Sequence, residues 1–424
     1  MNIAVYGDST AAITCAAAFA ETGNHVTLVP FVAMDEAGLL RQVAEEPGVP
    51  ALVSTGLQNG TFKLAPPQKT VRDAQVQIFA MQAEQQMWAE QLTATLAESG
   101  TQAVTLVVRA TFPVGSAERL QACIAEKRSC DLVVEPDFLP EGRALSAFKR
   151  PDRILLGTTS REAEACMRNL YRPFNRNRDV ILVVSPRAAE LTKFATNAML
   201  ATRVSFMNEL AQLAESYGVD IEQVRQGLGM DRRIGFDFLY PGVGFGGPYF
   251  ARDVQRLAEM MRAQQVDAGL LDAVLDINAL QKEALFRKAW VHYDYALEGR
   301  IFTLWGVSYK PHTESVINAP SVPLARALLA QGAEIKLYDP AAMQAFMAVL
   351  TEQEKARVQP CETPCQALSD SDGLMLVTEW KPFWHPDWRA VKAAMRTPVI
   401  FDGRNIYSPE RLKDEGFVYY GIGR

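Results

Sequence analysis

From Pro186 to Tyr217 the chain carries Leu191, Phe194, Ala195, Ala198, Thr202, Leu210, Leu213 and Tyr217 at three- and four-residue steps, and Gly218 stops the pattern. That spacing predicts one amphipathic helix of about 30 residues. A helix so long overruns a single small domain, so it must join two. The full length of 424 residues agrees, being too much for one ordinary core and enough for two or three domains.

Strand and helix alternate on both sides of it. NIAVYG is a short apolar strand that breaks at Gly7, and Ser9 or Thr10 can cap the alanine-rich helix that runs to about Thr22. Gly23 then turns the chain into HVTLV, which completes the opening of a doubly wound dinucleotide fold. VQIFA, VTLVVRATF and CDLVVEP continue the series. Towards the end come RIFTLWGVSY, AEIKLYDP, GLMLVTEW, PVIFDGRN and FVYYGIG, five apolar strands of a second open sheet. The expected class is α/β, with two Rossmann-like doubly wound parallel-sheet domains (1–185 and 294–424) joined by the long helix and a helical middle (186–293).

Composition removes several classes of function. Apolar residues at 48% and charged residues at 22% describe a globular protein, and a net charge of −6 does not suit a nucleic-acid partner. No apolar run reaches the roughly 18 residues of a membrane span. MNIAVYG enters a strand without a basic leader, so a cytoplasmic location is expected. Six scattered cysteines read as reduced thiols, and four unpaired histidines supply no metal motif and no His-centred triad.

The stretch GVGFGGPYFARD, Gly242 to Asp253, is the strongest chemical signal. Gly242, Gly244, Gly246 and Gly247 lack a Cβ, so the backbone can take positive φ and approach a ligand closely. Pro248 withholds an N–H, and Arg252 and Asp253 open a new helix with an acid near its positive end. This loop resembles the active-site loop of the UDP-glucose/GDP-mannose dehydrogenase family, GFGGSCF followed by a basic–acidic pair. Tyr249 stands where the family has its nucleophilic cysteine, and Pro248 where it has serine.

The resemblance covers nearly the whole chain and assigns expected roles. TFPVGS resembles the family's turn after the fourth strand of the first domain, with Thr111 at the threonine that holds a water near the sugar; a plain Pro-Gly turn capped by Ser116 is the other reading. In EPDFLPEG, Asp137 and Glu141 match two family glutamates and Glu135 replaces an asparagine, against a reading as solvated loop charges. Lys193 and Asn197, one helical turn apart, match residues that bind the reacting sugar oxygens; a lysine on a solvated face is the alternative. Asp253 matches the acid that shares the threonine-bound water, and Arg233 an arginine that reaches the neighbouring subunit of a homodimer. Gly244, Gly246, Gly247, Lys310 and Arg404 match positions around the nucleotide sugar. Between the last two, Thr313, Ser315, Ile317, Ala319 and Pro320 replace the family's Thr-x-Asp-x-Arg-x-Ser-Pro run, without its arginine.

For NAD, the G-x-G-x-x-G/A fingerprint is held here by Gly7, Ser9 and Ala12, with Thr10 at the helix start. Asp8 adds a negative charge beside the phosphate position, and Pro30 stands where an acid would take the ribose hydroxyls.

The family oxidises a sugar primary alcohol at carbon six to a carboxylate by two hydride transfers to NAD, with a thioester between them. A tyrosine phenol, with a reference pKa of about 10, is a poor substitute for that thiolate. Three functions are therefore expected: a dehydrogenase of UDP- or GDP-sugars with altered or lost four-electron turnover, a non-catalytic nucleotide-sugar-binding relative, or an oxidoreductase on another substrate.

Overall fold

The computed structural model describes residues 1–98, 103–176 and 178–424. Compactness divides the chain into Met1–Ala195 and Thr196–Arg424. Among the described residues, no helix is long and apolar enough to cross a membrane.

The first unit is built on eight strands: β1 (Asn2–Tyr6), β2 (His25–Val29), β3 (Phe62–Leu64), β4 (Val76–Phe79), β5 (Val104–Val108), β6 (Cys130–Val134), β7 (Ile154–Gly157) and β8 (Ile181–Val184). Their order is β3-β2-β1-β4-β5-β6-β7-β8. Six of them follow the doubly wound pattern, with its switch point between β1 and β4. Successive β1 side chains enter opposite cores: Ile3 and Val5 pack with Phe19 and Phe148, while Ala4 and Tyr6 pack with Phe79 and Trp88. Helices on both faces explain why the strands are apolar runs without alternation. One join differs. β6 and β7 meet antiparallel through the single pair Val134–Gly157, whereas β5 and β6 pair along five residues.

At the end of β1, Gly7 adopts φ +146°, and a Cβ there would lie 2.3 Å from the Ala80 carbonyl oxygen. The turn therefore requires glycine. Ser9 caps the helix Thr10–Glu21, its Oγ accepting from the Ala12 N–H at 3.2 Å. Strands β3, β7 and β8, of three or four residues each, are absent from the sequence reading.

In the second unit the strands are β9 (Ile301–Trp305), β10 (Glu334–Tyr338), β11 (Val358–Pro360), β12 (Gly373–Leu376), β13 (Val399–Asp402) and β14 (Val418–Tyr420). They run parallel in the order β11-β10-β9-β12-β13-β14. All five expected strands are present. The sixth, β11, ends in a proline, which a sheet edge tolerates because one side needs no N–H. Before this sheet come the 32-residue helix Pro186–Tyr217 and the helices Ile221–Met230, Phe250–Ala263, Gly269–Gln281 and Ala284–His292. Met207 and Ala211 of the long helix share a core with Leu285, Phe302 and Leu324, so helices and sheet fold around common apolar contacts.

The first unit also buries a charged cluster beyond β5 and β6. Arg109 and Glu135 form a buried ion pair, and the Tyr171 hydroxyl accepts from Arg109 at 2.9 Å while donating to Glu135. Burial pushes the Glu135 carboxyl above its ordinary range, with Arg109 pulling the other way. Removing one partner strands the other charge, so Arg109→Met should destabilise the protein by about 3–5 kcal/mol. Adding Glu135→Leu should recover most of that loss. Urea unfolding of both variants checks this; a single-variant loss below about 1 kcal/mol would show that the pair is not what holds these strand ends.

Candidate active site

In the first unit the candidate residues lie at strand carboxyl ends, where open α/β sheets bind ligands. Thr111 follows β5, half-buried, in the turn leading to the helix Ser116–Ala125. That turn is fixed by a residue the sequence reading did not single out. Glu190 of the long helix accepts from the Gly115 N–H at 2.6 Å and the Ala117 N–H at 3.0 Å, taking donors that a helix start leaves over. A second buried acid, Glu46, does the same for the segment after β6: it accepts from Gly142 and from Ala144 at 3.0 Å, holding the loop that carries Glu141. Neither was legible because each lies far in sequence from the amides it serves.

Asp137 turns back on its own loop, its Oδ1 accepting from Leu139 at 3.0 Å with Arg109 3.6 Å away. The ammonium of Lys193 donates to the Asp137 carbonyl and lies 5.2 Å from the Phe138 ring centroid. Lys193 is thus held against the EPDFLPEG loop and does not sit on an open face.

At the fingerprint positions, Gly7 makes the turn, Ser9 caps the helix in the place of the motif's second glycine, Thr10 begins the helix and Ala12 is buried in its first turn. The turn is tight, and the first-turn N–H groups of the helix are not all consumed by its cap. Asp8 departs from expectation. Its carboxylate is turned to the end of β2 and accepts from the Phe31 and Val32 N–H groups, both at 3.3 Å.

The second unit holds the glycine loop. Gly244 and Gly247 take φ of +84° and +87°, whereas Gly242 and Gly246 do not enter that region. Those two are required by close packing: a Cβ on Gly242 would lie 2.9 Å from the Gly403 oxygen, and one on Gly246 2.7 Å from the Asn318 oxygen. The loop's peptide groups are held by side-chain amides. Asn208 accepts from the Gly242 N–H at 2.8 Å and Gln281 donates to the Gly242 carbonyl at 2.7 Å. Asn278 takes both sides of Phe245, accepting from its N–H at 2.7 Å and donating to its carbonyl at 3.1 Å. These three amides also escaped the sequence reading, since an isolated Asn or Gln in a helix carries no pattern.

Asp253 is fully buried in the first turn of the helix Phe250–Ala263. Asn197 donates to its Oδ2 at 2.6 Å, and Arg252 donates to its Oδ1 at 3.0 and 2.9 Å. A buried carboxylate so engaged is rigid and fully compensated. Tyr249, just before that helix, is 41% exposed, and the Arg252 guanidinium lies 5.4 Å from its ring centroid. Arg404, following β13, donates to the Val377 carbonyl at 2.7 Å and pairs with Glu379 at 3.1 Å. Lys310 follows β9 with its ammonium 5.5 Å from the Tyr309 ring, the same ring that lies against Gly247. Arg233 stands apart from this group, 88% exposed and paired with Asp231 at 2.6 Å.

All six cysteines are free. Burial pushes the Cys15 and Cys130 thiols up to about 12, so neither has the character of an activated nucleophile.

Three domain models of one family match the chain: the NAD binding domain over residues 1–175, the central domain over 187–280 and the UDP binding domain over 303–409. A UDP-glucose 6-dehydrogenase of Pseudomonas aeruginosa is 38% identical, covering 100% of this chain and 98% of the relative. One from Bacillus subtilis is 32% identical over 100% and 98%. Among solved structures, a UDP-glucose dehydrogenase from Pyrobaculum islandicum superposes with a TM-score of 0.87 at 26% identity, covering 100% of this chain and 97% of that one. With fold, loop and all three domain models in agreement, the chain belongs to the UDP-glucose/GDP-mannose dehydrogenase family.

Proposed function

We propose that the protein binds NAD and a UDP- or GDP-sugar and has lost the four-electron, thioester-linked oxidation at carbon six. The observation that carries this reading is Tyr249, a half-exposed phenol at the nucleophile position of an otherwise retained glycine loop. In this chain the glycine loop is pinned by its amide supports and is followed by the buried Asp253–Asn197 pair, so Tyr249 and Pro248 sit on an ordered scaffold.

The Gly7 turn and the helix Thr10–Glu21 support a dinucleotide reading: a tight turn that requires glycine, a helix start whose cap takes one N–H, and small Ala12 behind it, with Ser9 in the place of the second glycine. Bound there, NAD would supply a hydride acceptor. Within the first unit, Lys193 is suited to hold a developing oxyanion, Thr111 to order a water and Asp137 and Glu141 to flank a sugar; within the second, Asp253 is suited to fix Asn197 and Arg252, and Lys310 and Arg404 to meet a diphosphate. Oxidation of an alcohol to an aldehyde needs only a base and the acceptor. Passing on to the acid requires a tetrahedral adduct, which a thiolate forms readily and a phenol at neutral pH does not.

The long helix supports a homodimer. Met199, Phe206 and Leu213, spaced seven apart and 62%, 50% and 52% exposed, make an apolar stripe, which on a globular protein marks an association surface. Arg233, exposed beyond that helix, is suited to the family's cross-subunit role.

Three measurements test these readings. Calorimetric titration with NAD, UDP-glucose and GDP-mannose should show binding of NAD and of one nucleotide sugar. With both supplied, the native protein should release at most one NADH per sugar consumed and no uronate, while Pro248→Ser with Tyr249→Cys should raise the yield to two; two equivalents from the native chain would refute the loss. In sedimentation the native protein should run as a dimer and Phe206→Glu as a monomer at the same concentration. A native monomer at micromolar concentration would remove the dimer proposal.

A further inference from the structure

We infer that Asp8 is the residue that selects the adenosine ribose of the dinucleotide, admitting a free 2′-hydroxyl and rejecting a 2′-phosphate. The inference rests on the reading of the first unit as an NAD site. Dinucleotide folds of this kind place the ribose-binding acid at the end of the second strand. Here that place is Pro30, which has no side-chain acceptor. The charge arrives there from the other side of the turn. Gly7 donates its N–H to the Val29 carbonyl at 3.0 Å, drawing the glycine turn onto the end of β2. The next residue, Asp8, then reaches the Phe31 and Val32 N–H groups with Oδ2, 3.3 Å from each.

A carboxylate has about four acceptor positions, so two amides on one oxygen leave it capable of taking ribose hydroxyls. The same charge opposes a phosphate. From Gly23 to Leu40 the sequence contains no lysine or arginine, while Asp35 and Glu36 add two more acids. The opposing features are Arg41, exposed on the next helix beside Asp35, and Lys69, exposed on the loop whose Gln68 N–H donates to the Pro30 carbonyl at 3.1 Å. Exposed cations are strongly screened by solvent, whereas the half-buried Asp8 is screened less, so the acid decides the sign.

The test is calorimetric titration of NAD and NADP into the native protein and into Asp8→Asn, at low and at high salt. Native protein should prefer NAD, Asp8→Asn should shrink the preference about tenfold or more, and high salt should narrow it in the native protein alone. If the native protein prefers NAD and Asp8→Asn leaves the ratio unchanged, the inference falls while the cofactor reading stands. If the native protein binds neither dinucleotide, both fall. Should Asp8→Asn fail to melt cooperatively, Asp8→Ser replaces it, and a native preference indifferent to salt overturns the inference without any variant.

Discussion

The second unit depends on one constraint: a glycine-rich backbone brought inside the protein must have its N–H and C=O groups paired. The loop from Gly242 to Gly247 cannot form a helix or a strand with those φ values, so its peptides turn to side chains. Asn208, Asn278 and Gln281 meet them from two helices, and the Gly403 and Ile317 carbonyls accept from Val243 and Gly247. Losing any one amide would leave a buried peptide group unpaired, which costs about 1–3 kcal/mol. The loop is therefore a rigid floor, and the residue it presents at position 249 can change without the floor giving way. The support of the loop is thus separate from the Tyr249 side chain, which is 41% exposed beside it.

A similar division governs the first unit. Two of its turns after strands are secured by an acid from elsewhere, Glu190 at the Thr111 turn and Glu46 at the Glu141 loop, while Asp137 lies 3.6 Å from Arg109, which is paired with Glu135. Buried acids on helix-start amides act as fixed counter-charges that hold these turns, and Lys193 in turn is held by the Asp137 carbonyl.

How much could be read from the residues alone follows from range. The alternation of strands and helices, the long helix and the glycine loop are local patterns, and the structure carries them. Ser9 as helix cap was visible because a cap and its amide lie three residues apart. Glu46 and Gly142, or Asn278 and Phe245, are separated by dozens of residues, and nothing in either segment announces the other. Asp8 shows the converse. Its charge was legible and read as a conflict with phosphate, yet its direction depends on two amides beyond β2. Short strands such as β3 and β11 were missed because neighbours, not propensity, make them strands.

The antiparallel join between β6 and β7 has a consequence of another kind. A single residue pair ties β7 and β8 to the six-stranded remainder, and at that pair Gly157 has no side chain because Ala189 of the long helix occupies the room a Cβ would need. The sheet is thus two plates with a hinge line, and the helix rests on the line. In exchange with solvent deuterium, β7 and β8 should therefore open as a group of their own, at lower free energy than β1, β4 and β5. The start of the long helix spans both parts: Ala189 fills the space at Gly157, and Glu190 holds the turn that follows β5.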